Sequence, residues 1–170
     1  MANQTSSLIG VDLSGLGGTT QLFALGTVCQ GTDGSTWEYI EVTSTHVTGK
    51  IVIINRPGTG KVALPAMLTA NATGGWFGFV QNAVNQGEFA WVATRGRGLY
   101  VLVSSCLTAG LDTGFALSAN SGRLIRESEG AVGSTMYGFY VLSSVATADI
   151  AAGVLSLMTL TWPRSIAENR

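Results

Sequence analysis

Ionisable side chains are scarce in this chain. Of 170 residues nine are basic and ten acidic, so charged groups make up 11%, against roughly a quarter in an ordinary soluble domain. Too few charges remain to solvate a whole surface. Ser, Thr, Asn, Gln and backbone groups must do part of that work, or other chains must cover part of the protein. A net charge of −1 leaves no basic stripe for nucleic acid or for an anionic membrane, so neither is expected as a partner. There is one histidine, His46; a zinc site or a Ser-His or Cys-His centre would have to use it. It sits in the polar run Thr43-Ser44-Thr45-His46-Val47-Thr48 and reads as an exposed loop residue. The two cysteines, Cys29 and Cys106, are too few for a disulfide framework and read as reduced and buried. No apolar run reaches the ~18 residues of a membrane span; the nearest, Val145 to Leu160, contains Asp149. The opening MANQTSSLIG has neither a basic nor an apolar leader region, so no secretory signal is expected. These absences argue against an enzyme, and no cofactor and no metal is expected.

What is present is apolar, glycine-rich and patterned for strands. Hydrophobic residues are 46% and glycine supplies 23 positions. The most informative stretch runs from Trp76 to Val103. It reads as three strands, Trp76–Val80, Phe89–Ala93 and Leu99–Val103, broken at Asn82–Gly87 and Arg95–Gly98, both of turn composition. Other expected strands are Leu22–Cys29, Thr36–Thr43, Lys50–Ile54, Gly114–Ser118, Arg123–Glu127, Met136–Ser144 and Val154–Trp162. Thr32-Asp33-Gly34-Ser35 reads as a hairpin turn and Arg56–Gly60 as another turn. Lys61–Ala72 is ambiguous, with Pro65 able to open a short helix, and Asp149–Ala152 can form one helical turn. About ten short strands at close spacing, with no alternating amphipathic helices, predict an all-β fold, an antiparallel β-barrel or sandwich. Residues 1–20 read as an extended N-terminal arm, 21–165 as a single β domain and 166–170 as a tail. The arm carries Leu8, Ile9, Val11, Leu13 and Leu16 among glycines. It is either a disordered terminus or an arm that orders on a partner.

Motifs for chemistry fail one by one. Gly58-Thr59-Gly60-Lys61 lacks the first glycine of a phosphate loop, since Asn55 stands there, and Val62 stands where Ser or Thr is needed. Glu38 and Glu41 are three apart on a strand, so they face opposite ways. Glu127 and Glu129 could share a face, but Arg123 and Arg126 flank them, which suits a solvated charged patch. Arg95 and Arg97, in Arg95-Gly96-Arg97-Gly98, form the one concentrated positive site. They are either a charged hairpin tip or an anchor for carboxylates of a neighbouring subunit. Two arginines neutralise too few phosphates for useful nucleic-acid affinity.

The segments Gly75-Trp76-Phe77-Gly78-Phe79-Val80-Gln81, Gly87-Glu88-Phe89-Ala90-Trp91-Val92 and Gly98-Leu99-Tyr100-Val101-Leu102-Val103 resemble the capsid decoration (cement) proteins of tailed bacteriophages. Gly110…Gly114-Phe115-Ala116-Leu117…Gly122 and the closing Thr161-Trp162-Pro163-Arg164-Ser165 are similar too. The resemblance covers Gln21 to Ser165 through loose patterns of glycine, aromatics and valine. It implies a β-rich, often trimeric protein that clamps adjoining major capsid subunits from outside. It carries over no catalytic residue. The expectation is therefore a non-enzymatic virion protein on the outer capsid surface, made in the host cytoplasm. Its partners would be itself, as a homotrimer, and the major capsid protein. Leu8, Ile9, Val11, Leu13, Leu16, Arg95 and Arg97 are the candidate interface residues. The alternative is a tail or fibre-tip module that recognises a host glycan, which predicts an exposed aromatic cleft.

Overall fold

A computed structural model describes residues 17–55, 59–62, 76–104, 114–117, 122–126, 135–145 and 153–165. The fold is all-β, and no helix occurs among the described residues. The strands are β1 (Val28–Gln30), β2 (Thr36–Val42), β3 (Ile51–Asn55), β4 (Thr59–Val62), β5 (Trp76–Val80), β6 (Phe89–Val103), β7 (Phe115–Leu117), β8 (Leu124–Arg126), β9 (Thr135–Val141) and β10 (Val154–Ser165).

Strands β2, β4, β3, β5 and β6 pair in that order, and β6 pairs back onto β2, so five strands close a barrel. Closure removes free edges. Most pairs are antiparallel as expected, but β2 meets β4 in parallel through Glu41 and Val42. The barrel is small and is filled by β-branched side chains, Ile40, Val42, Val52, Ile54, Val80 and Val92, all buried. Such a narrow interior needs gaps in its wall. A Cβ added to Gly78 would lie 2.7 Å from Val92 Cγ2, and one on Gly60 would overlap Ile40 Cδ1. Glycine at these two positions therefore lets the aliphatic side chains meet. Val84, from the connection between β5 and β6, joins the same core.

β6 then leaves the barrel and enters a second sheet, in the order β6-β10-β9-β7-β8. That sheet curls until β8 touches β6 through one parallel pair, Val103 with Leu124. Its inner face carries Val101, Val103, Phe115, Leu117, Leu124, Met136, Phe139, Val141, Met158 and Leu160, packed on Ile51, Ile53, Phe77 and Phe79 from the outer wall of the barrel. Phe139 lies edge-on to both Phe79 (5.6 Å) and Phe115 (5.5 Å). The barrel wall is thus also one layer of a sandwich. WFGFV in β5 is apolar on both faces because both faces are covered.

Several expectations need correction. Arg95–Gly98 is not a break or a hairpin tip; β6 runs unbroken from Phe89 to Val103. Register shifts flank this stretch, between the Thr36 and Trp37 pairings and between the Met158 and Leu160 pairings. They are β-bulges, and Gly98 at φ 69° supplies a backbone shape that other residues resist. The expected strand Leu22–Cys29 reduces to Val28–Gln30. Residues 21–27 instead form a turn-rich strap held by Gly26 N–H to Tyr39 C=O (2.8 Å) and Thr27 N–H to Ala24 C=O (3.1 Å). Thr59–Val62, expected as turn and ambiguous segment, is β4. The expected helical segments after Pro65 and at Asp149–Ala152, and Cys106, lie outside the described residues.

Candidate assembly surface

Among the described residues, the groups able to do acid–base or metal chemistry are dispersed, and no three His, Cys, Asp or Glu side chains gather around a possible metal position. The Cys29 thiol is free and buried beside Trp37 in the larger core. Glu88 is tied to its own turn, accepting from the Asn85 amide at 2.7 Å. Glu127 and Glu129 lie outside the described residues. His46 overturns its expectation as an exposed loop residue: it has no exposed surface. Its backbone exchanges two hydrogen bonds with Val84, which draws the polar connection back over the barrel end. Burial, and then the Lys50 charge, lower its pKa from 6.5 to about 4, so the ring is neutral at pH 7.

The aromatics of the barrel's outer wall are packed together. Tyr39 stacks near Phe89 (6.2 Å) and Trp91 (5.1 Å), and Phe23 of the strap closes on Tyr39 and Trp91 at 5.2 and 5.3 Å. The Tyr39 hydroxyl accepts from the Leu22 amide at 3.1 Å. The strap thereby covers a face that would otherwise expose three rings, Tyr39, Phe89 and Trp91.

The outer face of the second sheet is different. In β10, Ser156, Met158 and Leu160 point inward and are buried, whereas Leu155 is 43% exposed and Leu157 partly exposed. The register puts Leu155 opposite Leu102, Leu157 opposite Tyr100, and Thr159 opposite Tyr140, which is 49% exposed. Opposed residues share a face. Tyr100, Leu155, Leu157, Thr159 and Tyr140 therefore share one uncharged face, on which Leu155 and Tyr140 are exposed and the others half-buried, while Leu102 is buried under the Gly49 connection. A one-sided sheet turns its leucines in and its serines out. Here Met158 and Leu160 turn in as expected, but at Ser156 a serine turns in while its neighbours Leu155 and Leu157 turn out. The Ser156 hydroxyl is kept inside by donating to the Ser143 carbonyl at 3.0 Å, and the Ser143 hydroxyl accepts from the Leu157 amide at 2.9 Å.

Of the residues singled out from sequence, Arg95 and Arg97 are both exposed and sit where β6 passes from barrel to second sheet. Arg95 lies opposite Thr36, and Gly96 opposite Leu160. Leu8, Ile9, Val11, Leu13 and Leu16 lie outside the described residues. The leucine and tyrosine face was missed. Its signal is in the sequence: Leu155-Ser156-Leu157-Met158-Thr159-Leu160 is apolar at both parities, which marks a strand covered on both sides. Compared with known proteins, the chain matches no family model and no curated protein.

Proposed function

We propose that this chain is a non-enzymatic structural protein of a phage head, one that self-associates, as a trimer, and stabilises the shell by bridging major capsid subunits from outside. The observation that carries this reading is the uncharged outer face of β10 and β9, with Leu155 and Tyr140 exposed and Leu157 half-exposed while the Ser156 hydroxyl is turned in. Placing an apolar stripe in water while burying a hydroxyl is costly unless another surface covers the stripe. Each leucine or tyrosine so covered contributes on the order of 1 kcal/mol or more. A face without charges also avoids the desolvation of unpaired ions. The covering surface in this reading is another copy of the chain. Arg95, Arg97 and the arm residues Leu8, Ile9, Val11, Leu13 and Leu16 are left to contact the shell. The low charge of the whole chain, 11%, and the sequence resemblance to decoration proteins support the same assignment.

Add-back tests it. Purified protein mixed with undecorated phage heads should co-sediment at saturating stoichiometry and raise the temperature at which the heads release DNA. Absence of binding to heads, together with retention on a glycan array, would transfer the chain to the fibre-tip reading.

A further inference from the structure

The single histidine occupies a position that the assembly reading leaves unused. The His46 amide donates to the Val84 carbonyl at 2.9 Å, and the Val84 amide donates back at 3.0 Å. His46 Nε2 lies 3.4 Å from the Ser44 hydroxyl, while Nδ1 is buried with no hydrogen-bond partner. Val84 in turn fills the space beside the incoming N-terminal segment: a Cβ on Gly17 would lie 2.5 Å from Val84 Cγ2. The next residue, Gly18, exchanges two backbone hydrogen bonds with Phe89 at the start of β6, at 3.1 and 2.8 Å. Histidine, barrel plug and N-terminal segment are thus in series. The charged groups on the elements that meet here are Lys50 and Glu88 on the connections, Glu38 and Glu41 on β2, and Arg95 and Arg97 further along β6. Lys50 follows on the same connection and disfavours a second cation. The Glu88 carboxylate is held by the Asn85 amide and Nδ2, at 2.7 and 3.4 Å. Glu41 lies opposite Phe89 on β2.

We propose that this arrangement is an acid-operated latch: protonation of the His46 ring opens the His46–Val84 bridge and releases the Gly17–Gly18 segment from β6, while the second sheet keeps its packing. A protonated ring would add a charge and a second N–H at Nδ1, in a place where Nδ1 has no acceptor. The bridge is an isolated pair outside any strand, so it can open without the sheets. With the closed-state pKa lowered from 6.5 to about 4, protons bind the open state better. The latch therefore weakens as pH falls from about 6.5 and stops weakening below about 4. The opening equilibrium should rise roughly a hundredfold between pH 7 and 4. This inference does not depend on the assembly reading.

Hydrogen exchange of the folded protein, corrected for the intrinsic pH dependence, reads the latch directly. The Val84 amide reports the bridge and the Phe89 amide the N-terminal segment. Both should open about a hundredfold more at pH 4 than at pH 7, and the amides of Val101 and Ser156 only a few-fold more. In His46→Leu the Val84 and Phe89 amides should lose this response. Should that variant fail to fold, the ring titration of the wild-type protein by NMR decides: a midpoint near 4 that coincides with faster exchange upholds the latch. A midpoint at or above 6 without loosening overturns it. So does an acid response that persists in His46→Leu, or one that is equal in the second sheet.

Discussion

The two halves of β6 lie in different surroundings. From Phe89 to Thr94 it is a barrel stave, with Val92 turned into a closed aliphatic interior and Trp91 turned toward the strap's Phe23. From Leu99 to Val103 it belongs to a sheet whose inner face is packed on the barrel wall and whose outer face carries Leu155 and Tyr140 exposed and Tyr100 and Leu157 half-buried. The barrel fills its interior with its own strands and covers its outer aromatics with 21–27, leaving only scattered apolar side chains, Leu22, Val28, Val47 and Trp76, exposed. The second sheet borrows one cover from the barrel and, in the reading proposed here, the other from a second chain. A short chain can thus use one strand both to close a core and to carry an association surface, and the bulges at Arg95–Gly98 let the two uses differ in twist.

The largest expected effect tests whether the halves are separable. Phe79 belongs to the barrel wall, is fully buried and lies edge-on to Phe139 of β9. Phe79→Ala should cost about 3–5 kcal/mol, and urea unfolding followed by tryptophan fluorescence and by circular dichroism should stay coincident. Two separated transitions would mean two independent units. The next effect is confined to the barrel side. Because the pKa of His46 is lowered on folding to about 4, stability should be full above pH 6.5 and fall, by up to roughly 3 kcal/mol, as pH drops to about 4. Unfolding of the wild type and of His46→Leu across this range isolates that share from the carboxylates.

The junction itself comes third. The Gln81 side chain acts as a piece of strand, donating from Nε2 to the Tyr100 carbonyl (3.0 Å) and accepting from the Tyr100 amide at Oε1 (2.9 Å). Gln81→Leu leaves both groups unpaired and should cost about 1–3 kcal/mol, with faster exchange at Tyr100 before other β6 amides. The smallest effect on folding belongs to the two arginines. Replacing Arg95 and Arg97 by Ala should shift unfolding within about 0.5 kcal/mol while weakening attachment to phage heads in a binding titration. Unchanged attachment would make them solvated side chains at a bend.

Much of the architecture was legible in the sequence, and what was not has identifiable causes. Trp76–Val80 was read with its observed bounds, because a continuous apolar run between glycine-rich turns leaves few alternatives. Barrel and sandwich could not be separated, since β5 serves both. Arg95–Gly98 has the composition of a turn, and only pairing on both sides reveals a bulged strand. β4 was hidden because Gly60 and Lys61 have low strand preference; Gly60 is needed for the room it leaves to Ile40. His46 was misplaced because its neighbours are polar, and a two-bond bridge to a residue 38 positions away leaves no local pattern. For the candidate surface, Leu155 to Leu160 is apolar at both parities, so the sequence does not say which face of β10 turns inward.

The central claim is that copies of this chain meet through the outer face of β6, β10 and β9. Sedimentation equilibrium at micromolar concentration, on the wild type and on Leu155→Asp with Tyr140→Asp, tests it most directly. The account predicts a trimer of 17.6 kDa chains for the wild type. It predicts a monomer with an unchanged circular dichroism spectrum for the variant. A wild-type monomer, or a variant that stays trimeric, would contradict it.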